Sequence, residues 1–100
     1  MAREPLDTDT INLALTGLEG WAYVDGALRR GYEAPDFPSA IRLVAQVAEL
    51  AEAADHHPDI DIRRRRVTFV LSTHDAGDQV TGRDLALAQQ INAAINEQPR

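Results

Sequence analysis

The stretch Glu52-Ala53-Ala54-Asp55-His56-His57-Pro58-Asp59-Ile60-Asp61-Ile62 changes its period at the proline. Before it, from Ser39 to Asp55, apolar residues recur at helical spacing. Ile41, Val44, Ala48 and Ala51 make one stripe; Leu43, Val47, Leu50 and Ala54 make a second. The remaining face, Arg42, Gln46, Glu49 and Ala53, is only partly polar. After Pro58, residues 59–62 alternate polar and apolar, the period of a half-buried strand. Proline disfavours the α region for the residue before it, so His57 should be extended while His56 can still end the helix. The two rings then leave the junction in different directions. A small domain's own sheet needs only one apolar stripe of its helix. The second stripe predicts a contact with another copy of the chain, a homodimer or homotetramer, and we assign Leu43 and Val47 to that contact.

On the upstream side, Trp21-Ala22-Tyr23-Val24 and Ala27-Leu28-Arg29-Arg30-Gly31-Tyr32 flank Asp25-Gly26. That dipeptide between two β-prone runs is the strongest short hairpin signal. Trp21, Tyr23, Leu28 and Tyr32 would share one face and belong to the core. A short helix over residues 9–16 precedes the hairpin, with cap candidates at Asp7-Thr8-Asp9 and Gly17. Ala34-Pro35-Asp36-Phe37-Pro38 reads as a turn into the long helix, with Asp36 near its cap and Pro38 in its first turn.

On the downstream side, residues 59–62 and Val67 to His74 suggest a second hairpin turning near Arg65-Arg66. That turn would set Ile60 opposite Leu71 and Ile62 opposite Phe69. A loop, Asp75-Ala76-Gly77-Asp78-Gln79, follows His74. Thr81-Gly82-Arg83-Asp84 is a capping-box pattern with Asp in place of Glu. It opens a last helix with Leu85, Ala88, Ile91 and Ile95 on one side, and the last few residues read as a frayed tail. The order is α-β-β-α-β-β-α: an α+β fold, with a four-stranded antiparallel sheet covered on one face by helices. Residues 1–100 are expected to form a single domain.

Composition narrows the function. The chain has 100 residues, 44% hydrophobic and 26% charged, the balance of a globular protein. It has no cysteine, which rules out disulfides and thiolate metal sites. A net charge of −6 argues against nucleic-acid partners. No apolar run nears the roughly 18 residues of a membrane span, and no signal-peptide core follows Met1-Ala2-Arg3-Glu4-Pro5. A cytoplasmic protein without a membrane partner is expected. All ten basic residues are arginine, for which there is no functional account.

The chemistry concentrates in three histidines, His56, His57 and His74. Histidine exchanges protons near neutral pH, with an unperturbed pKa of about 6.5. A plainer alternative is two surface histidines at a helix C-terminus, where the macrodipole favours positive charge. Glu52 lies four residues before His56, close enough on a helix to orient it.

The compound motif Glu52-x-x-x-His56-His57-Pro58, then Ser72-Thr73-His74, then Asp84 ten residues on, resembles the pterin-4a-carbinolamine dehydratases. Leu18-Glu19-Gly20-Trp21, Asp25-Gly26, Phe37-Pro38 and Arg83-Asp84-Leu85 carry the resemblance from about residue 11 to residue 95. It implies removal of water from 4a-hydroxytetrahydropterin (pterin-4a-carbinolamine), giving quinonoid dihydropterin in tetrahydropterin recycling for aromatic amino-acid hydroxylases. His56 and His74 would be the proton-transfer pair and His57 an assisting residue. Glu52 would serve His56, and Asp84 would anchor the loop or a histidine. His56, His57, Pro58, Thr73, His74, Asp75 and Ala76 would contact the pterin. No cofactor is implied, because the pterin is the substrate, and no metal, although three histidines match the count for zinc. The alternative on the same fold is a non-catalytic scaffold, assembly or dimerisation protein. One departure stands out: Arg64 occupies a position where the family usually has an aromatic residue. Alternation would set Arg64 on the face of Ile60 and Ile62. The arginine run from Arg63 to Arg66 otherwise reads as a charged hairpin tip that discourages edge pairing, or as an anion- or partner-binding tip.

Overall fold

The computed structural model describes residues 4–98, so Met1-Ala2-Arg3 and the end of the expected tail lie outside it. The elements are α1 (Thr8–Leu15), β1 (Trp21–Val24), β2 (Ala27–Glu33), α2 (Phe37–Ala54), β3 (Asp59–Arg63), β4 (Arg66–Leu71), a 3-10 turn (His74–Ala76) and α3 (Gly82–Asn96). The four strands form one antiparallel sheet in the order β1-β2-β4-β3. This is the α+β arrangement expected from the pattern.

Local chemistry accounts for the element ends. Asp25 and Gly26 both take positive φ, 51° and 81°, which a tight two-residue hairpin turn requires. Asp36 caps α2 by accepting the Ser39 N–H at 2.8 Å. Ser39, aided by Arg42, holds the Asp36 carboxyl below the ordinary carboxylate value. Thr81 caps α3: the Arg83 N–H donates to its Oγ1 and its own N–H donates to Asp84 Oδ2, completing the box.

Trp21, Leu28, Val67, Phe69 and Leu71 project from one side of the sheet into the core. Helices α2 and α3 pack against each other there, α2 meets β4, and α1 meets β1. Tyr23 and Tyr32 share that side but are only half-buried. From α3 the core takes Leu87, Ala88, Ile91, Ala94 and Ile95, while Leu85 stays at its edge.

Two expectations need correction. The second hairpin turns at Arg64-Arg65, and its register sets Ile60 opposite Phe69 and Ile62 opposite Val67. The strands are thus slipped by two residues from the expected pairing. An even slip leaves every side chain on its face, so the alternation could not detect it. Arg64 sits in the turn at φ 56° rather than on the apolar face. The second correction concerns α2, whose core line is Ala40, Leu43, Val47 and Ala51. The stripe assigned to another copy is therefore the one the subunit keeps. Phe37 and Ile41 remain outside, 55% and 41% exposed, with Ala45 and Ala48 beside them.

Leu43→Ala should accordingly cost the subunit about 3 kcal/mol, as a buried leucine emptied into a packed core does. Urea unfolding measures it; a change under about 0.5 kcal/mol would contradict the assignment of α2's faces.

Candidate active site

Four element ends meet at one end of the sheet: the end of α2, the start of β3, the end of β4 and the start of α3. Asp55 ends α2 in the left-handed region, at φ 49°, and its N–H bonds back to the helix carbonyls. That single residue reverses the chain, so the helical i−4 relation between Glu52 and His56 is lost. His56 is carried inward instead. Its Nε2 meets Asp84 Oδ1 at 2.5 Å, with His56 only 7% exposed and Asp84 fully buried. His57 swings back over the last helical turn, and its Nε2 bonds Glu52 Oε1 at 2.9 Å. The expected Glu52–His56 partnership is therefore a Glu52–His57 partnership.

Asp84 collects the remaining bonds of the buried wall. Its Oδ2 accepts from Thr73 Oγ1 at 2.8 Å and from the Thr81 N–H at 2.9 Å. The Thr73 and Thr81 hydroxyls share a further bond of 2.8 Å. Asp84 thus anchors both a histidine and the strand end that leads into the loop. His74, just beyond Thr73, is exposed, and its Nδ1 bonds Asp78 Oδ1 at 2.5 Å. Each of the three histidines holds its own carboxylate.

Asp55, His57, Pro58, Asp59, Thr73, His74, Asp75 and Arg83 line an open cleft of about 260 Å³. The structure thus brings His57, Pro58, Thr73, His74 and Asp75 to one cavity. His56, Glu52, Asp84 and Ala76 are not on its lining; His56 and Asp84 stand in the wall behind, joined to it through Thr73. A larger hollow of about 440 Å³ lies by Arg30, Tyr32 and Arg65 and holds no histidine, so size alone does not locate the chemistry. Among the described residues no three His, Asp or Glu side chains converge as metal ligands.

Sequence patterns missed four contributors, the first being Asp55, which lines the cleft where it ends α2. Arg83 caps the end of α2, its Nη2 donating to the Asp55 carbonyl at 2.6 Å, and it also forms cleft wall. Asp59 belongs to the lining by opening β3. Asp78 partners His74 from four residues on; that spacing was visible, but a loop gives no periodicity to make it count.

The profile of the family described as Pterin 4 alpha carbinolamine dehydratase matches residues 4–94. A protein of Mycobacterium sp. (strain KMS), named provisionally as a pterin-4-alpha-carbinolamine dehydratase, is 50% identical over 91 residues, 91% of this chain and 96% of that one. A protein of Roseiflexus castenholzii with the same provisional name is 52% identical over 90 residues, 90% of this chain and 96% of that one. A crystal structure from Brucella melitensis, described as a transcriptional coactivator/pterin dehydratase, superposes with a TM-score of 0.85 at 37% identity, covering 90% of this chain and 97% of that one.

Removing His56 strands a buried carboxylate, a loss that ordinarily costs about 3–5 kcal/mol. His56→Ala should therefore destabilise the fold by about 3 kcal/mol or more, read as a lowered urea midpoint, whatever it does to activity.

Proposed function

We infer what this chain does from the fact that it belongs to the pterin-4a-carbinolamine dehydratase family, and we propose that it is a hydro-lyase acting on 4a-hydroxytetrahydropterin. The carbon–oxygen bond at C4a breaks, and the oxygen leaves as water with a proton from an acid. A base takes the proton of a ring N–H, and the quinonoid dihydropterin remains. Atoms balance with no further reactant, so the pterin is substrate and no cofactor or metal enters the proposal. The role is tetrahydropterin recycling for aromatic amino-acid hydroxylation, in the cytoplasm.

The observation that carries this is the pairing of His57 and His74 on one cleft, each braced by a carboxylate. Two positioned histidines can serve as acid and base, each worth roughly 10²–10⁴-fold. The expected pair was His56 and His74. The inward turn of His56 favours His57 as the ring in reach, with His56 holding the wall through Asp84. Thr73 and Asp75 remain pterin contacts in this proposal.

The test is dehydration of freshly generated 4a-hydroxytetrahydropterin, with the spontaneous rate subtracted. Wild-type protein should accelerate it, and His57→Ala and His74→Ala should each lower kcat about 100-fold. The double variant should lose far less than the product, since both act on one proton-transfer step. Near-native turnover in both single variants would sink the proposal.

A homodimer or homotetramer completes the proposal, built on the outward side of α2. Phe37 and Ile41 lead an apolar strip there, and a second copy would bury two identical strips at once. Sedimentation equilibrium at tens of micromolar should find an assembly. Phe37→Glu with Ile41→Glu should give a monomer of unchanged helix content; a monomeric wild type would end this part.

A further inference from the structure

We propose that Asp78 is a positioning residue for His74: its carboxylate fixes the ring with the proton on Nδ1 and leaves Nε2 as the nitrogen offered to the substrate. This deepens the function proposed above and rests on it.

The loop is built to make the contact. The Thr73 N–H donates to the Gln79 carbonyl at 2.9 Å, and the Asp78 N–H donates to the Thr73 carbonyl at 3.0 Å. The Gly77 N–H closes on the His74 carbonyl at 3.1 Å. Gly77 and Asp78 are consecutive left-handed residues, at φ 71° and 60°. Left-handed backbone costs an ordinary side chain about 1–2 kcal/mol, and Asp and Asn tolerate it best. The turn they make brings Asp78 Oδ1 to 2.5 Å from His74 Nδ1.

An ionised carboxylate can only accept, so the proton of that bond belongs to Nδ1. A neutral imidazole has one donor and one acceptor nitrogen, so Nε2 carries the lone pair. His56 and His57 are arranged the other way, each giving Nε2 to its carboxylate. Among the described residues His74 is therefore the one histidine whose Nε2, the nitrogen farther from the backbone, is free of a carboxylate. It stands on the cleft beside His57, Asp59 and Arg83. Both partners of the pair are exposed, so the contact adds little to folding. Its effect is on direction, and removing it should leave the fold intact.

Two variants test the direction. Asp78→Gly keeps the left-handed backbone and removes the acceptor. Asp78→Asn keeps a polar partner, but its amide can donate as well as accept, so it no longer directs the proton to Nδ1. The readouts are kcat and KM for the dehydration, and the ¹⁵N shifts of the histidine rings, of which the chain has three. The wild type should hold His74 protonated at Nδ1. Asp78→Gly should move it toward the Nε2–H form that a histidine side chain prefers in water. With that shift kcat should fall about tenfold while KM changes by less than about twofold, and in Asp78→Asn kcat should fall in step with the share of His74 protonated at Nε2. A wild-type His74 protonated at Nε2 overturns the proposal. So does an unchanged kcat in Asp78→Gly, a loss expressed in KM, or an Asp78→Asn variant whose kcat does not follow its ring proton. A wild type with no dehydration above background would sink the function proposal instead, and the ring spectra would still decide what Asp78 does to His74.

Discussion

A carboxylate with no exposed surface holds the histidine-bearing end of this molecule together. Burying an ionised Asp costs several kcal/mol unless both its oxygens are hydrogen-bonded. Asp84 engages them with the His56 ring, the Thr73 hydroxyl and the Thr81 N–H. Those three partners come from the chain after α2, the end of β4 and the cap of α3. The bond geometry that keeps the charge tolerable therefore also fixes the distance between the two histidine-bearing segments. Chemistry that needs two histidines held apart by one small ring depends on such a fixed distance.

The other two histidine–carboxylate pairs differ from it in burial, and so in what they can do. Glu52–His57 and Asp78–His74 are exposed at both partners. Water competes for such bonds, so they orient a ring more than they stabilise a fold. The buried pair supplies rigidity and the exposed pairs supply reach. Arg83 links the two levels: it belongs to α3, closes the end of α2 through the Asp55 carbonyl, and forms cleft wall.

Much of this could be read from the sequence, because much of it is local. Asp25-Gly26, the Asp36 cap and the Thr81–Asp84 box each depend on residues within four positions, and they stand where the spacing set them. The failures are non-local or degenerate. The long helix has two apolar stripes, and periodicity cannot say which one faces the sheet. A two-residue register slip preserves every face, so Ile60 and Ile62 satisfy either pairing equally well. Glu52 and His56 have helical spacing, but one left-handed residue, Asp55, stands between them. Asp can take that conformation, yet nothing in the sequence says that it does so here.

Arg64, the departure from the family pattern, can be judged by where the hairpin puts it. Strand β3 starts at Asp59, on the cleft, and runs five residues to Arg63. At about 3.3 Å per residue, the turn lies some 15 Å from the histidines. No side chain of that turn reaches the cleft between His57 and His74. The tip has electrostatics of its own: Arg63 stands directly opposite Arg66, an unfavourable like-charge pair. Asp61, whose Oδ2 lies 3.3 Å from Arg63 Nε, offsets part of it, and Arg65 bonds Glu33 Oε2 at 2.9 Å and the Pro35 carbonyl at 3.2 Å, which ties the tip to the entrance of α2. Exchanging an aromatic residue for Arg64 thus alters the end of the sheet opposite the histidines. The cleft keeps His57 and His74, each bonded to its carboxylate, Glu52 or Asp78.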